Sequence, residues 1–347
     1  MNLKKFVLPA IAIALAFTSA SIEAQSKITL KIASVAPSRS PWDIEQRALA
    51  QEWSTITKGQ VAVTFFDAGS LGGEKGVIQK FRSVRPGQKA PLDGMIFTTI
   101  GLHELAPAAS IYTLSLPFLI RNQKELDLVL NANADKLRAE YRKEGFELLT
   151  WTNVGWLSFY TKDKFSTLAE LKKIKIASAG LESPVLGDAF RAAGFTIEDM
   201  SGTKLIQEIK GTGGVRGFFG VHMYAYVTGL SKSVNYALDT KLSPIMAGLA
   251  ISNESWAKVP AEYKPAMIEA VVRMKTRLDA ALDASDRNYV ESMKKEGVTM
   301  IAPTNAELAA WESEFMKDMA KIEKTVPGTF DRAFYTEIQK LLASARK

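Results

Sequence analysis

The segment from Pro265 to Glu296 sets the scale of the fold, because it contains no glycine and no internal proline before Gly297 closes it. As a helix rising 1.5 Å per residue it would be roughly 48 Å long, more than the width of one small domain. Its apolar positions include Met267, Val271, Met274, Leu278, Leu282 and Met293, and they do not sustain a strict heptad. A coiled coil is therefore disfavoured, and the segment predicts a helix laid along two domains. A chain of 347 residues has room for both.

The elements around that helix alternate strand and helix. Ile28 to Ser34 alternates apolar and polar residues and reads as a strand. Ser40-Pro41-Trp42-Asp43 then supplies a hydroxyl cap, a proline at the first helical position and an acid three residues on, opening a helix to about Thr57. Gln60–Phe66 is a second strand, followed by a helix from about Gly73 to Val84 and a strand from about Leu92 to Thr98. A second unit begins near Trp151. Strands are expected at 147–152, 156–161, 174–177 and 215–219, with helical segments from Thr167, over 184–193 and over 203–210. Ser243–Ser252 is an apolar strand able to return to the first sheet. Thr304 to Glu307 makes a capping box for a last amphipathic helix through about Ile322. This order predicts an α/β fold of mixed sheets wrapped by helices.

Composition removes many functions. The chain is 47% hydrophobic and 23% charged, too apolar and too evenly charged for disorder. It has no cysteine, which excludes disulfides, thiolate metal sites, a cysteine nucleophile and lipoprotein acylation. His103 and His222 are its two histidines, so imidazole-cluster chemistry is excluded as well. Lys4 and Lys5 precede an apolar stretch from Phe6 to Ala20, shorter than a bilayer-spanning helix, with small residues after it. Residues 1–24 thus read as a cleavable export signal, with an uncleaved anchor as the alternative, and the folded part is expected in a periplasm. Loss of Lys4 and Lys5 lowers the formal charge from +7 to +5, or to +6 when Glu23 also leaves. No concentrated basic patch remains, so nucleic acid is not an expected partner.

Catalytic hardware is sparse. The glycine-rich stretches Gly69–Gly76 and Gly211–Gly220 lack the ending of a nucleotide loop, and turns or close backbone approach explain them. His103-Glu104 lacks a second histidine, His222 has no sequence-near carboxylate, and Ser158 and Ser178 have no nucleophile-elbow pattern. Both histidines read as structural or solvent-facing. No catalytic residue, cofactor or metal is expected. Aromatic residues crowd two places, Trp151, Trp156, Phe159 and Tyr160 in one and Phe218, Phe219, Tyr224 and Tyr226 in the other. Core packing explains most of them, yet some should face a cleft between the two units.

Several stretches, in order, resemble the solute-binding proteins of tripartite ATP-independent periplasmic (TRAP) transporters, the DctP-like family. They are LKIASVAPSRSPW (30–42), VAVTFFDAGSLGGEKGVIQKFRSV (61–84), LDGMIFTT (92–99), SLPFLI (115–120), ELLTWTNVGW (147–156), 168–176 and SNESWAKVPAEYKPAMIEA (252–270). The resemblance covers nearly all of the chain after the export signal. It implies a two-lobed α/β periplasmic binding protein with a long helix spanning both lobes. The expected division is 28–150 plus about 240–275 for one lobe, and 151–239 plus about 276–347 for the other. It also implies hinge closure on a small solute, delivery to an ion-gradient-driven membrane permease, and in some branches a soluble helical-repeat (TPR-like) partner.

The family's usual ligand is an organic acid held by arginine. Here the matching arginine position reads Ala177, a second reads Leu157, the polar position after strand one reads Val35, and the Val-Asp-Gly-Gln-Glu stretch reads Val215-Arg216-Gly217-Phe218-Phe219. Losing such charge-assisted bonds while gaining phenylalanines predicts a hydrophobic or amphiphilic, lipid-like ligand. The expected lining is Val35, Trp156, Leu157, Ala177, Met200, Phe218 and Phe219, with Glu74 and Thr98 as polar contacts. Two alternatives stay open. A ligand-free scaffold would have a filled cleft, and a periplasmic hydrolase would have a strongly perturbed carboxylate or serine in it.

Overall fold

The computed structural model describes residues 27–85, 87–179, 184–200, 202–211 and 213–346. The export signal expected at 1–24 lies outside the described residues. From the start of the described chain, β1 (Ile28–Ser34) leads into α1 (Pro41–Ile56), where the Ser40 hydroxyl accepts the Asp43 N–H at 3.3 Å. The proline at the first helical position is harmless, since its missing N–H would have had no intrahelical partner. Asp43 accepts from the Arg39 N–H at 2.9 Å and from Gln46 Nε2 at 2.9 Å, fixing the chain just before the helix.

Next come β2 (Val61–Asp67), α2 (Gly73–Arg82) and β3 (Gly94–Thr98). The glycines around 69–76 are turn glycines as expected: Gly72 and Gly73 have φ of +92° and +72°, a region closed to most side chains. Three helices follow in a span where no element was expected: α3 (Thr99–Leu105), capped by Thr98, α4 (Gln123–Ala132), capped by Asn122, and α5 (Ala134–Lys143). β4 (Phe146–Trp156) runs past the end of the strand expected at 147–152, and the strand expected at 156–161 begins two residues later, at Ser158. The turn-like Asn153-Val154-Gly155 stays in the strand as a bulge: Asn153 and Gly155 oppose the consecutive Met246 and Ile245 of the neighbouring strand, and Val154 is the extra residue.

The second half contains β5 (Ser158–Thr161), α6 (Leu168–Lys173), β6 (Ile176–Ala179), α7 (Pro184–Ala192), β7 (Ile197–Met200), α8 (Gly202–Lys210), β8 (Gly217–Gly220), α9 (His222–Val227) and β9 (Tyr236–Leu238). β10 (Pro244–Ser252), α10 (Asn253–Lys258), α11 (Lys264–Lys295), β11 (Thr299–Ile301), α12 (Asn305–Thr325) and α13 (Arg332–Ala345) complete it. The Thr304–Glu307 box does cap α12, with both reciprocal bonds formed. It does not open the last helix, however, because α13 follows.

Two mixed sheets result, ordered β2-β1-β3-β10-β4 and β11-β9-β5-β8-β6-β7. β10 returns to the first sheet as expected, antiparallel to both β3 and β4. β3 shows why its run is continuously apolar. Met95 and Phe97 enter the core on one face with Leu102 and Tyr141, while Ile96 enters the core on the other with Leu30 and Leu249.

α11 touches both lobes. Met267, Met274, Leu278 and Leu282 pack with Trp53 and Ile32 beside the first sheet, and Met293 packs with Tyr160 and Leu205 beside the second. Trp53 fixes its start, donating from Nε1 to the Met267 carbonyl at 3.0 Å. At the C-terminus, α13 buries Phe334, Ile338 and Leu342 with Leu126 and Val129 of α4.

Both histidines are buried and structural. His103 stacks on Tyr112 with ring centroids 4.0 Å apart, and burial pushes its pKa down. His222 Nδ1 lies 2.6 Å from the Tyr160 hydroxyl, and burial lowers its pKa too. Burial also raises the Tyr160 phenol, so a neutral hydroxyl and a neutral ring share this bond.

Trp53→Ala should cost about 3–5 kcal/mol of unfolding free energy, read from urea melts. A loss under about 1 kcal/mol would mean that α11 is not anchored there. A histidine that resists protonation when folded contributes stability that is complete above its unfolded pKa of about 6.5 and is lost as pH falls below it. Unfolding free energy should therefore decline on acidification from pH about 6.5 by up to ~1.4 kcal/mol per pH unit per histidine. His103→Gln should make that decline shallower.

Candidate functional site

Besides α11, the chain passes between the sheets at Leu157, joining β4 to β5, and at residues 239–243, joining β9 to β10. The two crossings are bonded to each other, the Leu157 N–H donating to the Ser243 carbonyl at 2.8 Å. Beside them lies a cavity of about 780 Å³, lined from both lobes. That volume falls within the ~300–1,000 Å³ of ordinary small-molecule sites.

The second lobe supplies an aromatic wall. Phe190 stacks on Phe219 at 4.7 Å and meets Phe195 edge-on at 5.2 Å, while Phe159 stacks on Phe195 at 5.7 Å. Strand alternation decides which rings take part. Phe159 and Phe219 face the cavity, whereas their chain neighbours Tyr160 and Phe218 stack on each other at 4.7 Å in the core behind. The first lobe supplies Val35, Ile96, Thr98, Ile100 and Phe118. α12 covers one side with Trp311, Phe315 and Ile322.

Of the nine expected site residues, Val35, Glu74, Thr98, Leu157 and Phe219 line the cavity. Trp156, Ala177, Met200 and Phe218 do not. Trp156 and Leu157 are consecutive, as are Phe218 and Phe219, and an extended chain turns only one of each pair inward. Trp156 packs in a first-lobe core with the Lys241 ammonium 5.4 Å from its ring centroid. Ala177 pairs with Phe218 across β6 and β8, and both join Met200 in the second-lobe core. Arg216, aligned with the family's acidic stretch, is on the surface, bound to Asp163 with Nε–Oδ2 at 2.8 Å.

Phe118, Phe190, Phe195, Trp311 and Phe315 were not anticipated, because they come from segments distant in sequence. Phe118 carried a signal of a kind, within the SLPFLI landmark. Its φ is +66°, a costly region for a bulky residue. Its N–H donates to the Leu242 carbonyl at 2.8 Å, and its ring lies 6.2 Å from that of Phe315. Strain of this kind persists only where the surroundings over-determine it, and such residues cluster at binding sites.

Charge on the wall is one-sided. Among the described residues, no arginine, lysine or histidine lines the cavity. The internal positions outside the description, 86, 180–183, 201 and 212, hold no basic residue in sequence. Asp67, Glu74 and Asp318 are the acids present, and each has protein partners. Glu74 accepts from the Thr98 N–H at 2.5 Å, the Thr98 hydroxyl at 3.0 Å and the Gly101 N–H at 3.1 Å, holding the start of α3. Asp67 accepts from the Ser70 N–H at 2.8 Å. Asp318 and Glu314 share Lys172, each at 2.7 Å. Tyr160 and Asp286, raised by burial, and His222, lowered by burial, lie away from the cavity lining.

Two mixed-sheet lobes, a helix along both and a cavity at their crossings form the architecture of a two-lobed binding protein. Residues 32–325 match the DctP family, described as bacterial extracellular solute-binding protein, family 7. The chain belongs to that family. A solute-binding protein of Roseobacter denitrificans is 22% identical over 308 residues, covering 87% of this chain and 90% of the relative. In fold, the chain is similar to a TRAP periplasmic solute-binding protein of Haemophilus influenzae with bound L-gulonate. The TM-score is 0.79 at 16% identity, with 91% of this chain and 100% of the other covered. It is also similar to one of Sulfurospirillum deleyianum with bound succinate, with TM-score 0.77, 17% identity, and 91% and 99% covered.

Because Glu74 holds backbone and hydroxyl donors of its own lobe, Glu74→Ala should destabilise the fold by about 1–3 kcal/mol in thermal or urea melts. Unchanged stability would instead leave Glu74 as a contact for solute.

Proposed function

We propose that this protein is the solute-binding component of a TRAP-type transporter whose solute is a hydrophobic or amphiphilic small molecule. The observation that carries this reading is a phenylalanine-walled cavity with no basic side chain on its described lining. The similar proteins of H. influenzae and S. deleyianum hold gulonate and succinate, which are carboxylates. A carboxylate here would surrender its hydration without an arginine or lysine to replace it. An apolar ligand instead gains roughly 25 cal/mol for each Å² of apolar surface it buries. A cavity of about 780 Å³ also weighs against a cleft filled as a scaffold would require.

On this reading the ligand biases an open-to-closed equilibrium of the lobes, and a membrane permease in an ion-gradient-driven transporter recognises the closed form. The lobe division proposed is 28–150 with about 240–275, against 151–239 with the later segments, the pivots being Leu157, residues 239–243 and α11. Residues 1–24 serve as the export signal to the periplasm. A poorly soluble ligand gives reason for a soluble helical-repeat partner to receive it.

The test is native mass spectrometry of protein purified from its own periplasm, followed by organic extraction. Near-stoichiometric recovery of an apolar or amphiphilic molecule is expected. Recovery of a small polar acid bound in the cleft would overturn the reading. No bound molecule, together with no rise in melting temperature from any lipid-like compound, would favour the scaffold.

A further inference from the structure

α2 has two sides. Val77 and Ile78 are buried in the first-lobe core, and Glu74 lines the cavity described above. Lys75, Gln79, Lys80 and Ser83 recur three to five residues apart and form the other side, with Gly72 and Gly76. That side, together with Asp199 and Met200 at the end of β7, lines a second cavity of about 710 Å³. Met200, expected among the ligand contacts, therefore meets this cavity and not the first. Gly72 lines both cavities, and as a glycine it has no side chain to divide them.

The two cavities differ in chemistry. The first is walled by phenylalanine and has no basic residue on its described lining, whereas the second has Lys75, Lys80, Gln79 and Ser83 on its lining. Neither lysine ammonium has an ion pair or hydrogen bond among the described residues. Asp199, the acid on this lining, is bound by Arg191 of α7, so the two lysines are the uncompensated charges there. Helix stability explains one of them. Lys80 lies in the last turn of α2, where the helix dipole favours a cation, but Lys75 lies in the first turn, where it does not. Lys75, Gln79 and Ser83 are exposed, so this cavity opens to solvent.

An acidic group leaving water needs opposite charge and hydrogen-bond donors, and an apolar chain needs neither. A molecule with both parts finds the two environments on either side of Gly72. Building on the hydrophobic-ligand reading, we propose that the ligand is an anionic amphiphile lying across Gly72, its apolar body in the phenylalanine-walled cavity and its carboxylate or phosphate head beside Lys75 and Lys80. The head stays partly hydrated, so each exposed ammonium contributes modestly. Affinity then comes mainly from the apolar body, and the choice of head charge comes from the two lysines.

The probes are decanoate, decyl phosphate, 1-decanol and decyltrimethylammonium, each below its micelle-forming concentration, with binding to the full mature chain followed by calorimetry at neutral pH. The two anions should bind tightest and the quaternary ammonium weakest, and the tighter anion identifies the head. The double variant Lys75→Ala/Lys80→Ala should weaken both anions by about fivefold and leave 1-decanol within about twofold, with folding checked by circular dichroism. Lys75→Glu/Lys80→Glu should weaken the anions further and strengthen decyltrimethylammonium. If the alanine variant leaves the anions unchanged, or weakens 1-decanol as much as the anions, the head site is overturned while the hydrophobic-ligand reading stands. Tightest binding of decyltrimethylammonium would overturn it in the same way. If succinate binds and none of the ten-carbon probes does, the hydrophobic-ligand reading itself fails.

Discussion

A 32-residue helix that enters the cores of both lobes organises this protein. α11 buries Met267, Met274, Leu278 and Leu282 in the first lobe and Met293 in the second, so neither lobe can complete its core without it. Its flank against α1 is braced by Arg277 on Glu45 and Glu52, each at 2.8 Å, and by Arg273 on Glu52 at 3.1 Å. These pairs are partly exposed and individually weak, so the apolar seam with Trp53 carries most of the attachment. Since α11 and two hydrogen-bonded crossings join the sheets, the lobes meet along a line and leave a cleft beside it. The cavity is a consequence of that connectivity.

What fills the wall of that cleft is set by a second constraint, the two-residue period of strands. β5 and β8 each present one aromatic ring to the cavity and one to the core behind it, so Phe159 and Phe219 form a ligand-facing layer backed by stacked Tyr160 and Phe218. The layer behind is fully buried, which supports the layer in front. The acids on the wall are held by scaffold partners, Glu74 by the start of α3 and Asp318 by Lys172.

α12 ties the two lobes together a further time. Trp311 packs near Phe165 of the second lobe at 6.3 Å and Lys172 holds Glu314 and Asp318, while Phe315 meets Phe118 and Glu312 meets Arg121 of the first. The cavity therefore has contributors from residue 35 to residue 329. Lobe movement, where it occurs, has to shear α12 across one of these contacts.

By itself the sequence determined the local and periodic features: the span of α11, the caps at Ser40 and Thr304, the return of β10 and the order of family-like stretches. These depend on neighbours three or four residues apart, or on the register of a single strand, and both can be read along one chain. Val35, Leu157 and Phe219 were expected at the cleft from the family resemblance rather than from any local period, with Glu74 and Thr98 as polar contacts. Only the tertiary structure decided that Trp156, Ala177, Met200 and Phe218 face away, and that Phe118, Phe190, Phe195, Trp311 and Phe315 join the wall. Which face of a short strand is inside depends on the sheet it enters and the helices that cover it, and rings so far apart in the chain become neighbours only when the lobes fold. The absence of any cation from the described wall is likewise a spatial fact, since the chain has 44 lysines and arginines and turns none of those described into the cavity.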